Sequence, residues 1–505
     1  MRIAGIPVFA VALMTLALAM LAPALFGALE RDWRAGRLFL YAALFVAFCA
    51  AVLGLAARRP DQAQASAREE LLTLVGVFSV APAFAAVPIW LLRPDLGAGG
   101  ALFEAVSALT TTGATLIDLP ETAPRALHLW RSLMGWLGGL FTLAAAAAIL
   151  APRELLDLPG AQSVQAETSR AGRVLALGPG GRRTLKALGD IAPVYLAFTA
   201  LATALLAAPG AQSTFVALSH AMGIAATSGI SPLPNGLAGQ GSRWAEAAAL
   251  LLLAAAGTRL TWGAAHGGAR PRAMQRLHAA PRDPEVRLLA IAVVLATLWI
   301  LMQGLTTGAA ATGLEAGARA AWGALLTSVS FVTTTGYVSA DWGIAKAWAG
   351  QGSPALLLIG LATLGGGVAT TAGGVKLFRI YALYRHGRAE LARLPHPQAV
   401  DSTRTQGGDI ARRAIVNGWV VVMLYMAAFA ATLLALAAAG LGFGPSVAAA
   451  AAALSNAGPL LPEAGGVAWS QLSGPALAVC GAAMALGRIE LLAAIALLDP
   501  GNWRR

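Results

Sequence analysis

Thr110-Thr111-Thr112-Gly113-Ala114-Thr115 decides the fold, because three further segments repeat its plan: Ala226-Thr227-Ser228-Gly229-Ile230-Ser231, Val332-Thr333-Thr334-Thr335-Gly336-Tyr337 and Leu454-Ser455-Asn456-Ala457-Gly458-Pro459. Each sets one glycine behind small or hydroxylated residues. Each follows a short, moderately apolar helical segment (101–109, 214–225, 316–331 and 445–453) and stands between two longer apolar stretches. The short segments fall below the roughly 20 residues that cross a bilayer, so they read as re-entrant, dipping in and returning through the turn. Irregular backbone at membrane depth cannot face lipid, because its N–H and C=O groups would lack partners. The four turns therefore have to share one protein-enclosed axis.

The flanking stretches are 71–92 and 127–150, 188–207 and 244–265, 286–303 and 355–384, and 415–439 and 472–498, with 6–29 and 38–57 in front of them. The predicted fold is an all-α polytopic membrane protein. Four parallel repeats of helix, pore helix with filter loop, and helix (M1-P-M2) surround one pore, preceded by an N-terminal hairpin. The corresponding units are 1–60 for the hairpin, then 69–152, 186–266, 284–388 and 410–505.

Composition agrees. The chain is 57% hydrophobic and 12% charged, against about 25% charged in soluble globular proteins. A net charge of +12 reads as Lys and Arg held in cytoplasmic loops and not as a nucleic-acid footprint. With a cytoplasmic N-terminus, most of the 36 Lys and Arg fall on one side, in 58–68, 153–186, 270–287 and 376–413. The polar stretches 178–183 and 395–408 read as exposed loops on that side. Cys49 and Cys480 lie in apolar segments and read as packing residues.

A filter for a dehydrated monovalent cation needs successive carbonyls aimed at one axis, and glycine takes the required dihedrals cheaply. The candidate ion-binding positions are Thr111, Thr112 and Gly113; Thr227, Ser228 and Gly229; Thr334, Thr335 and Gly336; and Asn456, Ala457 and Gly458. Each short helix directs its partially negative C-terminus at the cavity, which favours a cation there.

The third unit's second stretch is interrupted by Gly365-Gly366-Gly367-Val368-Ala369-Thr370-Thr371-Ala372-Gly373-Gly374, with Lys376 close behind. Five glycines, at about 1 kcal/mol each, break a helix, and the break has to face the pore. A phosphate-binding loop is the rival reading, but Val375 separates Gly374 from Lys376 and no strand precedes. Arg488 lies in the last apolar stretch, where an ionised group faces a cavity with a partner; Glu490 and backbone carbonyls are both open as that partner. Arg259 sits near a span end, where it can snorkel. His220 reads as a satisfied helix histidine. Glu104 and Asp118 lie near the outer mouth, where they could concentrate cations. No catalytic constellation is present, so the chain does not read as an enzyme.

Phe103-Glu104-Ala105-Val106-Ser107 leading into the first turn, then Trp130-Arg131-Ser132 and Trp136-Leu137-Gly138-Gly139, resembles the first pore unit of the Trk/Ktr/HKT superfamily of potassium transporters, bacterial Trk-type branch. Thr333-Thr334-Thr335-Gly336-Tyr337 is similar to its third filter and Gly487-Arg488-Ile489-Glu490 to its last helix. The resemblance implies potassium uptake across the bacterial inner membrane, with potassium as the transported ion and no organic cofactor in this chain. It implies that Gly365, Gly366, Gly367, Thr370, Thr371, Gly373, Gly374 and Lys376 form an intramembrane gating loop beneath the filter, facing Arg488. It also implies a homodimer in membrane lipid and a cytosolic nucleotide-binding regulatory subunit. A less selective sodium/potassium transporter and an ion-coupled secondary transporter are the alternatives.

Overall fold

The computed structural model describes residues 8–57, 67–147, 180–207, 213–262, 280–306, 313–350, 353–395 and 408–489. The predicted loop 395–408 lies mostly outside these residues; of 178–183, residues 180–183 are described and belong to a helix, which corrects the loop reading there. Helices α1 (Val8–Leu29) and α2 (Trp33–Ala56) form the N-terminal hairpin. Gly27 and Gly36 let them cross closely, since a Cβ on Gly27 would lie 2.9 Å from the Gly36 nitrogen. Asp32 caps α2 by accepting from the Ala35 N–H at 3.0 Å.

The first unit comprises α3 (Ala67–Ser79), α4 (Ala81–Leu92), the short helix α5 (Gly97–Leu109) and α6 (Arg125–Ala145). The break between α3 and α4 precedes Pro82, whose ring cannot continue a helix without losing a hydrogen bond. The second unit is α7 (Gly180–Leu206), α8 (Thr214–Ala225), α9 (Arg243–Ala256) and the single turn α10 (Arg259–Trp262). The third is α11 (Pro284–Thr306), α12 (Leu314–Val332), α13 (Trp342–Ala349), α14 (Ser353–Leu364) and α15 (Leu377–Arg393). The fourth is α16 (Gly408–Ala438), α17 (Phe443–Leu454) and α18 (Gly474–Ile489).

Among the described residues, six stretches are long and apolar enough to cross a membrane: Val8–Leu29, Trp33–Ala56, Leu72–Leu92, Lys186–Leu206, Pro284–Thr306 and Gly418–Ala438. These are the hairpin and the first helix of every unit. The second helix of the second unit is shorter than the sequence predicts, α9 having 14 residues; α14 ends after 12 at the predicted break, and α18 is described for 16. Both α9 and α14 stop at a glycine, Gly257 and Gly365. Large apolar side chains such as Leu25, Phe48, Leu298, Met302 and Leu434 stand exposed on the outer faces of the long helices, as a lipid-facing surface requires.

The units meet in cyclic order. α6 packs on α8, α9 on α12, α14 on α17 and α18 on α5, so the second helix of each unit supports the short helix of the next and the fourth closes onto the first. The short helices are nearly filled with buried small residues: every residue of α17 from Ala448 to Leu454 is buried. Small side chains let four helix ends converge.

Candidate ion pathway

Each short helix ends in the same way. Thr112, Ser228, Thr335 and Ala457 donate their backbone N–H groups to Ser107, Gly223, Ser330 and Ala452 at 2.8, 2.8, 2.9 and 2.9 Å. The residue before each stands in the left-handed region: Thr111 at φ 55°, Thr227 at 49°, Thr334 at 57° and Asn456 at 52°. This is a Schellman-type helix end, but built on threonine and asparagine where glycine is the usual occupant. A β-branched residue at positive φ is an outlier that marks strain held by its surroundings.

The predicted glycines follow, with a difference. Gly113, Gly229 and Gly336 have φ 76°, 64° and 83°, whereas Gly458 is outside the left-handed region. Gly458 is required by contact instead: its N–H donates to the Thr112 carbonyl at 2.6 Å, and a Cβ there would strike the Ala114 backbone. The same test applied round the ring shows its closure. A Cβ on Gly113 would fall on the Ser228 carbonyl oxygen, one on Gly229 on the Thr335 carbonyl oxygen, and one on Gly336 on the Pro459 ring. Turn one touches two, two touches three, three touches four, and four touches one. Asn456 Nδ2 also donates to Thr112 Oγ1 at 3.0 Å. Thr111 Oγ1, Ser228 Oγ and Asn456 Oδ1 are buried oxygens without a hydrogen-bond partner among the described residues. Among the described residues no group of three or more His, Cys, Asp or Glu could hold a metal ion, and the turns carry no carboxylate. Such a ring offers neutral oxygens, which suits a monovalent cation.

The break between α14 and α15 lies directly against this ring. It runs from Gly365 to Lys376, with Gly365 at φ 73°, Ala369 at 58°, Gly374 at 75° and Lys376 at 80°. Only two of its five glycines use that region. Gly373 and Gly366 are there for close approach: a Cβ on Gly373 would strike the Ser455 carbonyl and one on Gly366 would lie 2.5 Å from the Ala372 Cβ. Gly367 N donates to the Gly257 carbonyl at 2.9 Å, Thr370 Oγ1 to the Gly367 carbonyl at 2.7 Å, and Lys376 Nζ to the Ala372 carbonyl.

The segment touches three of the turns and is bridged to the first by Arg488. Arg488 Nη1 donates to the Thr371 carbonyl at 2.6 Å and Arg488 Nε to the Thr110 carbonyl at 2.8 Å, joining it to the first turn. Thr227 Oγ1 donates to Thr371 Oγ1 at 3.1 Å in the second. Gly373 N donates to Thr334 Oγ1 at 2.7 Å in the third, and Gly373 abuts Ser455 in the fourth. Thr370, Thr371 and Ala372 are buried. Glu490, the acidic partner considered for Arg488, lies outside the described residues. On its far side the segment borders a cavity lined by Leu74, Thr142, Ala145, Lys376 and Arg488 among others.

Three features escape the sequence reading. Arg259 does not snorkel: it pairs with Asp283 at 2.9 Å and Glu285 at 3.7 Å, and its guanidinium lies 5.6 Å from the Phe378 ring. Glu285, buried in the first turn of α11, accepts the Val368 N–H at 2.9 Å and so holds the other end of the segment. Glu104 is no open cation attractor. It is fully buried, pairs with Arg131 at 2.9 Å, and accepts from Thr115 Oγ1 at 2.8 Å and Leu116 N at 2.5 Å. Asp118 is exposed. His220 is buried and bonded on both nitrogens: Gln240 Nε2 donates to Nδ1 at 3.0 Å, so Nε2 carries the proton and donates to Ser231 Oγ at 2.8 Å.

Residues 39–259 and 283–499 match the family model described as TrkH, cation transport protein. The chain belongs to the TrkH family. The TrkH named "Trk system potassium uptake protein" in Vibrio parahaemolyticus is 30% identical over 96% of both chains. The protein of the same name in Escherichia coli K12 is 29% identical over 96% of both, and TrkI of Halomonas elongata is 30% identical over 84% of this chain and 81% of its own. The crystal structure of the potassium transporter TrkH from Vibrio parahaemolyticus superposes with a TM-score of 0.79 over 99% of both chains, at 27% identity. This TrkH-family chain is therefore a multi-pass membrane protein of a transporter family, not of an enzyme family, with the all-α architecture expected.

Proposed function

We propose that the chain is a potassium-uptake pore of the bacterial inner membrane. Its four turns form the selectivity filter, and the Gly365–Lys376 segment with Arg488 is the closed gate. The observation that carries the reading is that one non-helical segment touches three turns of a closed ring of neutral oxygens and is tied to the fourth through Arg488. Potassium as cargo is supported by the names of the relatives, which are potassium uptake proteins over nearly their whole length.

The filter works by exchange of ligands. Carbonyls and hydroxyls of Thr111 to Gly113, Thr227 to Gly229, Thr334 to Gly336 and Asn456 to Gly458 replace the water shell of the ion. The helix ends behind them stabilise positive charge without a carboxylate that would hold the ion too tightly. Below the ring, Thr370, Thr371 and Ala372 fill the path, and the buried guanidinium of Arg488 adds an electrostatic barrier to a leaving cation. Opening means withdrawing this segment, which demands dihedral changes at glycines and the exchange of a few hydrogen bonds.

The distribution of Lys and Arg supports a cytoplasmic N-terminus, with the segment on the cytoplasmic side of the filter. On this reading the pore works as a homodimer in the lipid bilayer. A cytosolic nucleotide-binding regulatory subunit would supply the energy that moves the segment. The test is cation flux into proteoliposomes holding the purified chain, with potassium and sodium compared side by side. Preference for potassium and rubidium is expected; equal fluxes at equal driving force would reject the filter assignment.

A further inference from the structure

We infer that Glu104 is a positioning residue that sets how strictly the first filter turn discriminates between cations, an inference that rests on the pore reading above. Glu104, His220, Thr327 and Ala449 occupy the same place on the four short helices, at one offset before Thr110, Ala226, Thr333 and Ser455. Three of them reach over the turn and hold the chain where it leaves the filter. Glu104 accepts from Thr115 Oγ1 and Leu116 N, His220 donates to Ser231 Oγ, and Thr327 Oγ1 accepts from Ser339 N at 3.3 Å. Ala449 has no group to do so, and the fourth turn is held from outside its helix, by Trp469 Nε1 donating to the Gly458 carbonyl at 2.9 Å.

The four braces are unequal. Thr327 makes one long neutral bond, whereas Glu104 makes two short ones from a carboxylate, and charge-assisted bonds are roughly twice as strong as neutral ones. Burying a carboxylate with its guanidinium partner costs several kcal/mol per ion, and Thr327 shows that a hydroxyl suffices to tether an exit strand. Arg131 neutralises Glu104, so its charge does not act on the ion directly. What the carboxylate adds is stiffness, in the turn where Gly113 meets the Ser228 carbonyl of its neighbour. A turn that cannot draw inward keeps its oxygens spaced for the larger ion and loses ligand energy on a smaller one.

Two double variants isolate the acceptor from the charge: Glu104→Gln with Arg131→Met, and Glu104→Ala with Arg131→Met. Both are free of an unpaired buried ion, and only the first retains an oxygen facing Thr115 and Leu116. The single variant Thr115→Val removes one donor to Glu104, together with the acceptor of the Ile117 N–H, and leaves the ion pair intact. Each protein is reconstituted in proteoliposomes, and inhibition of rubidium uptake by sodium is compared with inhibition by potassium, beside the thermal midpoint in detergent.

The Ala-containing double variant loses both hydrogen bonds to Glu104 and is expected to lose discrimination by about tenfold, which requires only about 1.4 kcal/mol of their loss to reach the ion. Thr115→Val should lose less, with an unchanged thermal midpoint, and the Gln-containing double variant, with neutral bonds about half as strong, should fall between the Ala-containing variant and the wild type. Wild-type discrimination in the Ala-containing double variant and in Thr115→Val would overturn the inference and spare the pore. Thr115→Val alone decides in the same way should a double variant not fold. Equal inhibition of the wild-type protein by sodium and potassium would overturn both.

Discussion

Gly113→Ala tests the closure of the ring at the point where two units share it. Gly113 sits at φ 76°, a conformation that costs an L-residue about 1–2 kcal/mol more than glycine. The new methyl would fall on the Ser228 carbonyl oxygen, and that oxygen cannot simply yield, because Ser228 N is bonded to the Gly223 carbonyl at 2.8 Å. Forcing one more carbon into a packed interior costs about 1–3 kcal/mol. The total is roughly 2–5 kcal/mol, divided between two turns that, on the proposed reading, both present oxygens to the ion. If only about 1.4 kcal/mol of it reaches the ion, discrimination changes tenfold. The assay is sodium competition against rubidium uptake in proteoliposomes, with Gly440→Ala as control. Gly440 has φ 88° with nothing near its missing side chain, so it carries the same backbone strain far from the filter. Gly113→Ala should lose about tenfold or more in discrimination and Gly440→Ala none. A wild-type ratio in Gly113→Ala, or an equal loss in both, would refute the reasoning.

Arg488→Ala removes the bonds to the Thr110 and Thr371 carbonyls and is expected to raise basal rubidium uptake about tenfold, since hydrogen bonds to charged groups contribute about 1.5–3 kcal/mol each. Glu285→Ala frees the Val368 N–H and should raise basal uptake by a smaller factor, with sodium exclusion intact; unchanged uptake would show that this end of the segment is not a latch. Asp341, buried beside the third turn, pairs with Arg319 at 3.0 Å and with Arg243. Burial opposes its ionisation, yet the hydrogen bonds from Arg243 and Arg319 prevail and hold its carboxyl below the usual range. A depressed folded-state value means stability that is full above the unfolded carboxylate value, about 4, and is lost as the pH falls through the folded one. The thermal midpoint should therefore drop more steeply below about pH 4 in the wild type than in Asp341→Asn; parallel curves would contradict this.

The plan of short helices and glycine turns is legible in the sequence because its constraints are local. A short helix, a polar turn with one glycine and a long apolar stretch recur four times, and the helix predicted at 214–225 is the one found. The glycine-rich break is legible for the same reason. What the chain does with these residues is less so. Glycine is expected to supply the unusual dihedral, but in the structure Thr111, Thr227, Thr334 and Asn456 are also left-handed, and Gly458 serves close contact instead. That choice depends on the neighbouring turn, which no local pattern reports. Glu104 reads as a mouth residue because its partner Arg131 lies on the next helix, and Glu285 reads as an ordinary first-turn acid because Val368 is far along the chain. Arg259 near an apolar span looks like a snorkelling side chain until Asp283 and Glu285 are brought beside it. These pairings are tertiary contacts, within a unit for Glu104 and Val368 and between units for Arg259, and they become visible only when the helices are packed.

The central claim is that filter and gate are separate parts, the ring selecting the ion and the Gly365–Lys376 segment obstructing it. Its most direct test is unidirectional rubidium uptake into proteoliposomes by protein from which residues 368–372 have been deleted, without any regulatory subunit and at matched protein density. Uptake above the wild-type level, still inhibited by potassium more strongly than by sodium, is the predicted result. Uptake at or below the wild-type level from a folded preparation, or uptake that sodium inhibits as well as potassium does, would contradict it.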